Sequence, residues 1–112
     1  MNNLILYKMK AMMILKKVSA PMEREFTTTN GEVKKIRFRM VTLDDGVDSI
    51  HGETSERLTN RIESTNDALK LNLIEGHVYN VDFTLQARDY KDKQGNESTF
   101  LSCTINKMAT IL

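Results

Sequence analysis

The sequence predicts an all-β protein with one short helical segment. Two stretches, Val33–Leu43 and His77–Tyr90, alternate apolar and polar residues with a period of two, the signature of strands buried on one face. Helix-start signals gather at Thr54/Ser55 and at Ser64-x-x-Asp67. Glycines at 31, 46, 52, 76 and 95 and the single proline, Pro21, divide the rest into short runs.

Each element follows in order. Leu4–Val18 is rich in β-branched and long apolar residues and reads as a first strand, though its alternation is imperfect. Ala20–Glu32 reads as a loop or hairpin tip ending in Asn30-Gly31, a pair that tolerates positive φ and marks turns. Val33–Leu43 forms the next strand, with Ile36, Phe38 and Met40 on one side and Lys35, Arg37 and Arg39 on the other. Asp44-Asp45-Gly46 closes it, and Val47–Gly52 is a short third strand. The helical stretch begins at Thr54/Ser55, places Leu58 and Ile62 on one face, and breaks near 64–66 or divides into two short helices. Gly76 ends it. His77–Tyr90 directs Tyr79, Val81, Phe83, Leu85 and Ala87 inward. After a polar loop around Gly95, Thr99–Met108 is the last strand, with Leu101, Cys103 and Ile105 on one face.

Five strands with a helix between the third and fourth is the order of an OB-fold, a five-stranded Greek-key β-barrel. At 112 residues the chain is one domain spanning 1–112 and long enough to bury a modest core without staples.

Several chemistries are excluded. The single cysteine, Cys103, allows neither an internal disulfide nor a zinc cluster, and its alternation with Leu101 and Ile105 makes it a small core residue. His51 and His77 have no ligand partners at metal spacing, and no Gly-rich phosphate loop is present. Asp44–Asp48 lacks the ligand spacing and distal glutamate of a calcium loop. No acid/base or nucleophile constellation appears, so we expect neither an enzyme nor a cofactor. The apolar run Ala11–Leu15 is surrounded by Lys8, Lys10, Lys16 and Lys17, against a signal peptide or membrane span; the expected compartment is cytoplasmic.

Charge is unevenly spread. The net charge is +1, but residues 1–43 carry nine Lys/Arg against three acids, and residues 44–76 carry three against eight. Lys35, Arg37 and Arg39 stand ~7 Å apart on one strand face, suited to a polyanion with salt-sensitive affinity; the competing reading is an edge strand defended by charge. Around the last hairpin, Arg88, Tyr90, Lys91 and Lys93 set an aromatic among cations, as a base-stacking platform requires. Phe26 and Phe100 are further stacking candidates, with a plug beneath the loop and a subunit interface as their respective rivals.

Two stretches resemble the bacterial and phage single-stranded DNA-binding protein family. Pro21–Gly31 running into the strand to Met40 is similar to that family's first hairpin. Arg88-x-Tyr90-x-Asp92-Lys93-x-Gly95, followed by an aromatic and an alternating strand, is similar to its fourth-to-fifth-strand hairpin, and Glu75-Gly76-x-Val78-Tyr79 suits the lead-in. The resemblance implies an OB-fold that coats single strands with little sequence preference, as a homo-oligomer (dimer or tetramer), with replication or recombination proteins as further partners. It marks Phe26 and Tyr90 as stacking positions, Tyr90 standing where the family often has tryptophan. The chain departs from the family at 47–56, which lacks the aromatic-rich third strand, and after Leu112, where no Gly/Pro/Gln-rich linker or acidic tip follows. That pattern suits a compact phage-type member acting in host cytoplasm. The expectation is single-stranded DNA binding, with Lys35, Arg37, Arg39, Arg88, Lys91 and Lys93 on phosphates and the acids of 44–76 away from the groove. The rival is an OB-like protein-interaction module that uses its exposed strand and Phe100.

Overall fold

The computed structural model describes residues 6–111, except for the side chains of Arg88, Tyr90 and Phe100. Its elements are β1 (Leu6–Val18), β2 (Met22–Thr27), β3 (Val33–Phe38), β4 (Met40–Asp44), β5 (Ser49–Thr54), α1 (Glu56–Ile62), β6 (Val78–Lys91) and β7 (Glu97–Thr110). Five strands close into a barrel in the order β1-β4-β5-β7-β6, and β2 pairs with β3 in a separate two-stranded ribbon. All barrel pairings are antiparallel except β5 with β7. With the single short helix between β5 and β6, this is an OB-like barrel, as the element order predicts.

The barrel is filled by alternate side chains of its long strands. Leu15, Leu43, Tyr79 and Ile105 are fully buried, with Val41, Val81 and Met108 beside them. α1 caps the barrel with Leu58, and Ile62 packs against the same cluster. The helix starts where the sequence indicates: the Ser55 hydroxyl accepts from the Leu58 amide at 3.2 Å. Thr59 is fully buried, and its hydroxyl donates to the Ser55 carbonyl at 2.8 Å. With that hydrogen committed, the Thr54 hydroxyl is the donor in the 2.7 Å contact between the two threonines. Thr54 Oγ1 in turn accepts from the Arg39 amide at 2.8 Å.

No second helix follows among the described residues. The Ser64 and Asn66 side chains cap a turn, accepting from the amides of Asn66 and Ala68. The chain then runs irregularly to β6, held by Tyr79: its hydroxyl accepts from the Ile74 amide at 2.8 Å and donates to the Asn72 carbonyl at 3.2 Å.

Three departures from simple alternation matter for the surface. The expected loop at 20–32 contains a strand, β2, which pairs residue for residue with β3 from Met22↔Phe38 to Thr27↔Val33. The expected strand Val33–Leu43 breaks at Arg39, whose amide turns to the Thr54 side chain instead of continuing the ladder. Its phase slips there: Met40, expected inside, is 37% exposed, while Val41 and Leu43 enter the core. Register shifts on β1 between Leu15 and Lys17, and opposite Asp82/Phe83 on β7, are β-bulges. Each leaves two consecutive side chains exposed, Lys16 and Lys17 on β1 and Asn106 and Lys107 on β7.

Candidate nucleic-acid interface

Two hairpins rise from the barrel, the β2–β3 ribbon and the outer part of β6–β7. Their tips share one design. Thr28 donates its amide to Glu32 O at 2.8 Å and receives the Gly31 amide at 3.0 Å; Asp92 does the same with Asn96 at 3.0 Å and Gly95 at 3.1 Å. Gly31 (φ 81°) and Gly95 (φ 83°) supply the left-handed residue each tip needs, and Asn30 keeps a negative φ.

Between the hairpins lies a groove lined by Arg24 of the ribbon, Met40, His51 and Glu53 of the barrel, and Leu101 to Thr104 of β7. Gly52 forms part of its floor because a Cβ there would meet Ile105 Cδ1 at 2.9 Å and Cys103 Sγ at 3.0 Å. Cys103 is half-buried, and burial pushes its thiol up from the ordinary range, as suits a packing residue. His51 shares its Nδ1 with Thr42 Oγ1 at 3.0 Å.

Arg24 ties the ribbon to the barrel. It makes a two-point ion pair with Glu53 and lies over the Phe38 ring, 4.6 Å from its centroid. Side chains directly opposite in a ladder share a face. Met22, Arg24 and Phe26 therefore share one ribbon face with Lys34, Ile36 and Phe38, and Arg24 shows that this face turns toward the groove. Phe26 is 40% exposed, so it is not a plug sealed under the loop.

The cations predicted from alternation are placed differently. Lys35 and Arg37 occupy the ribbon's other face, with Glu25 and Glu23 opposite them. Lys35 pairs with Glu25 at 3.8 Å. Arg37 and Arg39 converge on Glu63 at 2.7 and 3.4 Å, and Arg39 also donates to the Ser19 carbonyl at 3.2 Å. With Glu63 16% exposed and Arg39 20% exposed, this knot braces the ribbon base against the end of α1. Lys91 pairs with Glu97 at 3.8 Å, whereas Lys93 sits exposed at the hairpin tip without an ion-pair partner among the described residues. The expectation that the acids of 44–76 lie away from the groove is corrected: Glu53 lines it and Glu63 neutralises two of the predicted cations. Alternation identifies a charged face but not the acids that the fold brings to it.

Arg88, Tyr90 and Phe100 occupy ladder positions on the β6–β7 hairpin, Arg88 opposite Phe100 and Tyr90 opposite Ser98. Their side chains lie outside the described residues, as do the first two residues of the strand expected from Leu4. Arg24 and Lys34, the basic residues on Phe26's face, were missed by the sequence reading. The available signal was the i, i+2 spacing of Arg24 and Phe26, which becomes visible once 22–27 is read as a strand.

Among the described residues no group of three or more His, Cys, Asp or Glu is placed to hold a metal. None of their helices is long and apolar enough to cross a membrane. Comparison of the chain with protein-family models and with curated proteins finds no match.

Proposed function

We propose that this protein binds single-stranded DNA with little sequence preference, coating it during replication or recombination in the cytoplasm, a phage's host cytoplasm included. The observation that carries the reading is the exposed Phe26 ring with Lys34 directly opposite it, on the ribbon face from which Arg24 reaches the groove of an OB-like barrel. A flat ring accepts any base, which gives affinity without sequence choice, and the cations set a salt-dependent term. Tyr90, Arg88 and Lys93 of the β6–β7 hairpin are the further candidates for stacking and phosphate contact on this reading. Arg24, Lys35, Arg37, Arg39 and Lys91 act at longer range, because their partners already neutralise them.

Self-association as a dimer or tetramer fits the open edge of β1. That strand pairs with β6 from Leu6 to Ile14 but with β4 only from Ile14 onward, so its edge away from β6 has no ladder partner over Leu6 to Met13 among the described residues. Leu6, Tyr7, Met9 and Met12 are all exposed along it. The same edge favours the second reading, a protein-interaction module.

Titration of the protein with oligo-dT over a range of salt tests the function. Binding that weakens steeply with salt and drops in Tyr90→Ala supports it; absence of any complex at low salt overturns it. Lys34→Glu separates the two readings, weakening DNA binding and lowering its salt slope in the first and leaving partner docking intact in the second.

A further inference from the structure

The lysines of the barrel wall form a second basic surface. Its origin is the β7 bulge: Asp82 pairs with Lys107 and Phe83 with Ile105, so Asn106 is the extra residue and both Asn106 and Lys107 are exposed. Lys107 lies opposite Asp82, which lies opposite Lys10 on β1, and Lys8 follows opposite Thr84. Arg57 of α1 reaches the same groove, giving four cations against one carboxylate. Among the described residues Asp82 pairs only with Lys10, at 3.9 Å. Lys8, Arg57 and Lys107 have no ion-pair partner among the described residues, in contrast to the neutralised row on β3. Asn106 donates one amide hydrogen to Thr84 Oγ1 at 2.7 Å, which leaves its carbonyl and its second hydrogen for a ligand.

The chemistry of this groove suits phosphodiester and not bases. The one aromatic lining it among the described residues, Phe83, is 6% exposed and offers no open ring face for stacking. The groove also continues the first one. Thr104 lines the groove between the hairpins and Asn106 lines this one, two residues apart on β7, a step of ~7 Å. On β5 and its exit, Glu53 lines the former and Ser55 the latter.

We propose that Lys8, Lys10, Arg57 and Lys107 hold the sugar-phosphate backbone of the same DNA strand after it leaves the groove between the hairpins. The inference rests on the single-strand reading above and extends the footprint around the barrel. A short strand occupies the first groove alone; a longer one fills both.

The test compares the full chain with the double variant Lys8→Gln/Lys107→Gln, which neutralises two exposed side chains and leaves the first groove untouched. Binding is measured by fluorescence anisotropy on labelled oligo-dT of about eight and about thirty nucleotides, bracketing the site sizes of OB-folds, at several salt concentrations. The expected result is unchanged affinity for the short oligomer. For the long one, affinity falls about tenfold at low salt and the log–log salt slope falls by about 1.4, two phosphate contacts on a single strand. An unchanged long-oligomer affinity and slope overturns the second groove while the first stands, as does an equal loss on both lengths, which marks a general charge effect. Failure of the unaltered protein to bind either length overturns the functional reading and this inference together. Matching circular dichroism spectra and melting curves establish that the variant is folded.

Discussion

Arg24 and Glu53, 29 residues apart in sequence, meet through both guanidinium nitrogens and both carboxylate oxygens, Nη1 to Oε2 at 3.1 Å and Nη2 to Oε1 at 2.6 Å. This pair fixes the ribbon against the third barrel strand and places a negative charge inside the candidate groove. Glu53→Gln removes that charge while keeping an acceptor. At about 6 Å from a phosphate in water, one unit charge is worth ~0.7 kcal/mol, or about threefold in affinity. Oligo-dT affinity is therefore expected to rise by about that factor. A double-mutant cycle of Arg24→Ala and Glu53→Ala is expected to give a coupling of roughly 0.2–1 kcal/mol in stability, because both side chains are partly solvated.

Glu63 has the opposite balance. It receives Arg37 and the largely buried Arg39, so Glu63→Ala leaves a shielded guanidinium without its carboxylate. The expected cost is roughly 2–3 kcal/mol, below that of a fully buried pair because solvent still reaches the site. Urea unfolding should show it as a lower midpoint at an unchanged slope.

Gly52→Ala tests the close approach of β5 to β7. The added methyl would stand 2.9 Å from Ile105 Cδ1, and Ile105 is fully buried with little room to shift. Overpacking of this kind costs roughly 1–3 kcal/mol, again read from urea or thermal unfolding. Pairing it with Ile105→Val should recover part of the loss by removing the methyl that clashes.

Phe26 and Lys34 sit opposite one another on the ribbon and should fail in different ways. Phe26→Ala is expected to weaken oligo-dT binding by roughly 1–3 kcal/mol, the worth of one stacked base, without altering the salt slope. Lys34→Gln is expected to lower the slope by about 0.7, one phosphate contact. Parallel salt titrations of the two variants check both.

The barrel was legible in the sequence because its strands bury one face: Tyr79, Val81 and Phe83 alternate inward as the pattern requires, and Ser55 caps the helix as its position indicates. The ribbon was less legible. All six residues of β2 are exposed, so Met22–Thr27 carries no burial pattern and looks like a loop. The phase slip at Arg39 was hidden for a related reason. Phe38, Met40, Val41 and Leu43 are all apolar, and only the Thr54 hydrogen bond reveals where the register turns over. The candidate site needed tertiary information of another kind, because Glu53 and Glu63 reach the predicted cations from elements far along the chain. The second basic groove depended on a bulge, which local alternation cannot show.

The break at Arg39 gives the ribbon the mechanics of a cantilever. All six of its ladder pairs lie beyond this fulcrum, and among the described residues its two strands have no third strand to stiffen them. Load applied at the Asn30-Gly31 tip concentrates at the root, where Arg37 and Arg39 grip Glu63 and Arg24 grips Glu53. Those two clasps, with the closed barrel beneath them, thus set the angle at which the arm leaves the barrel.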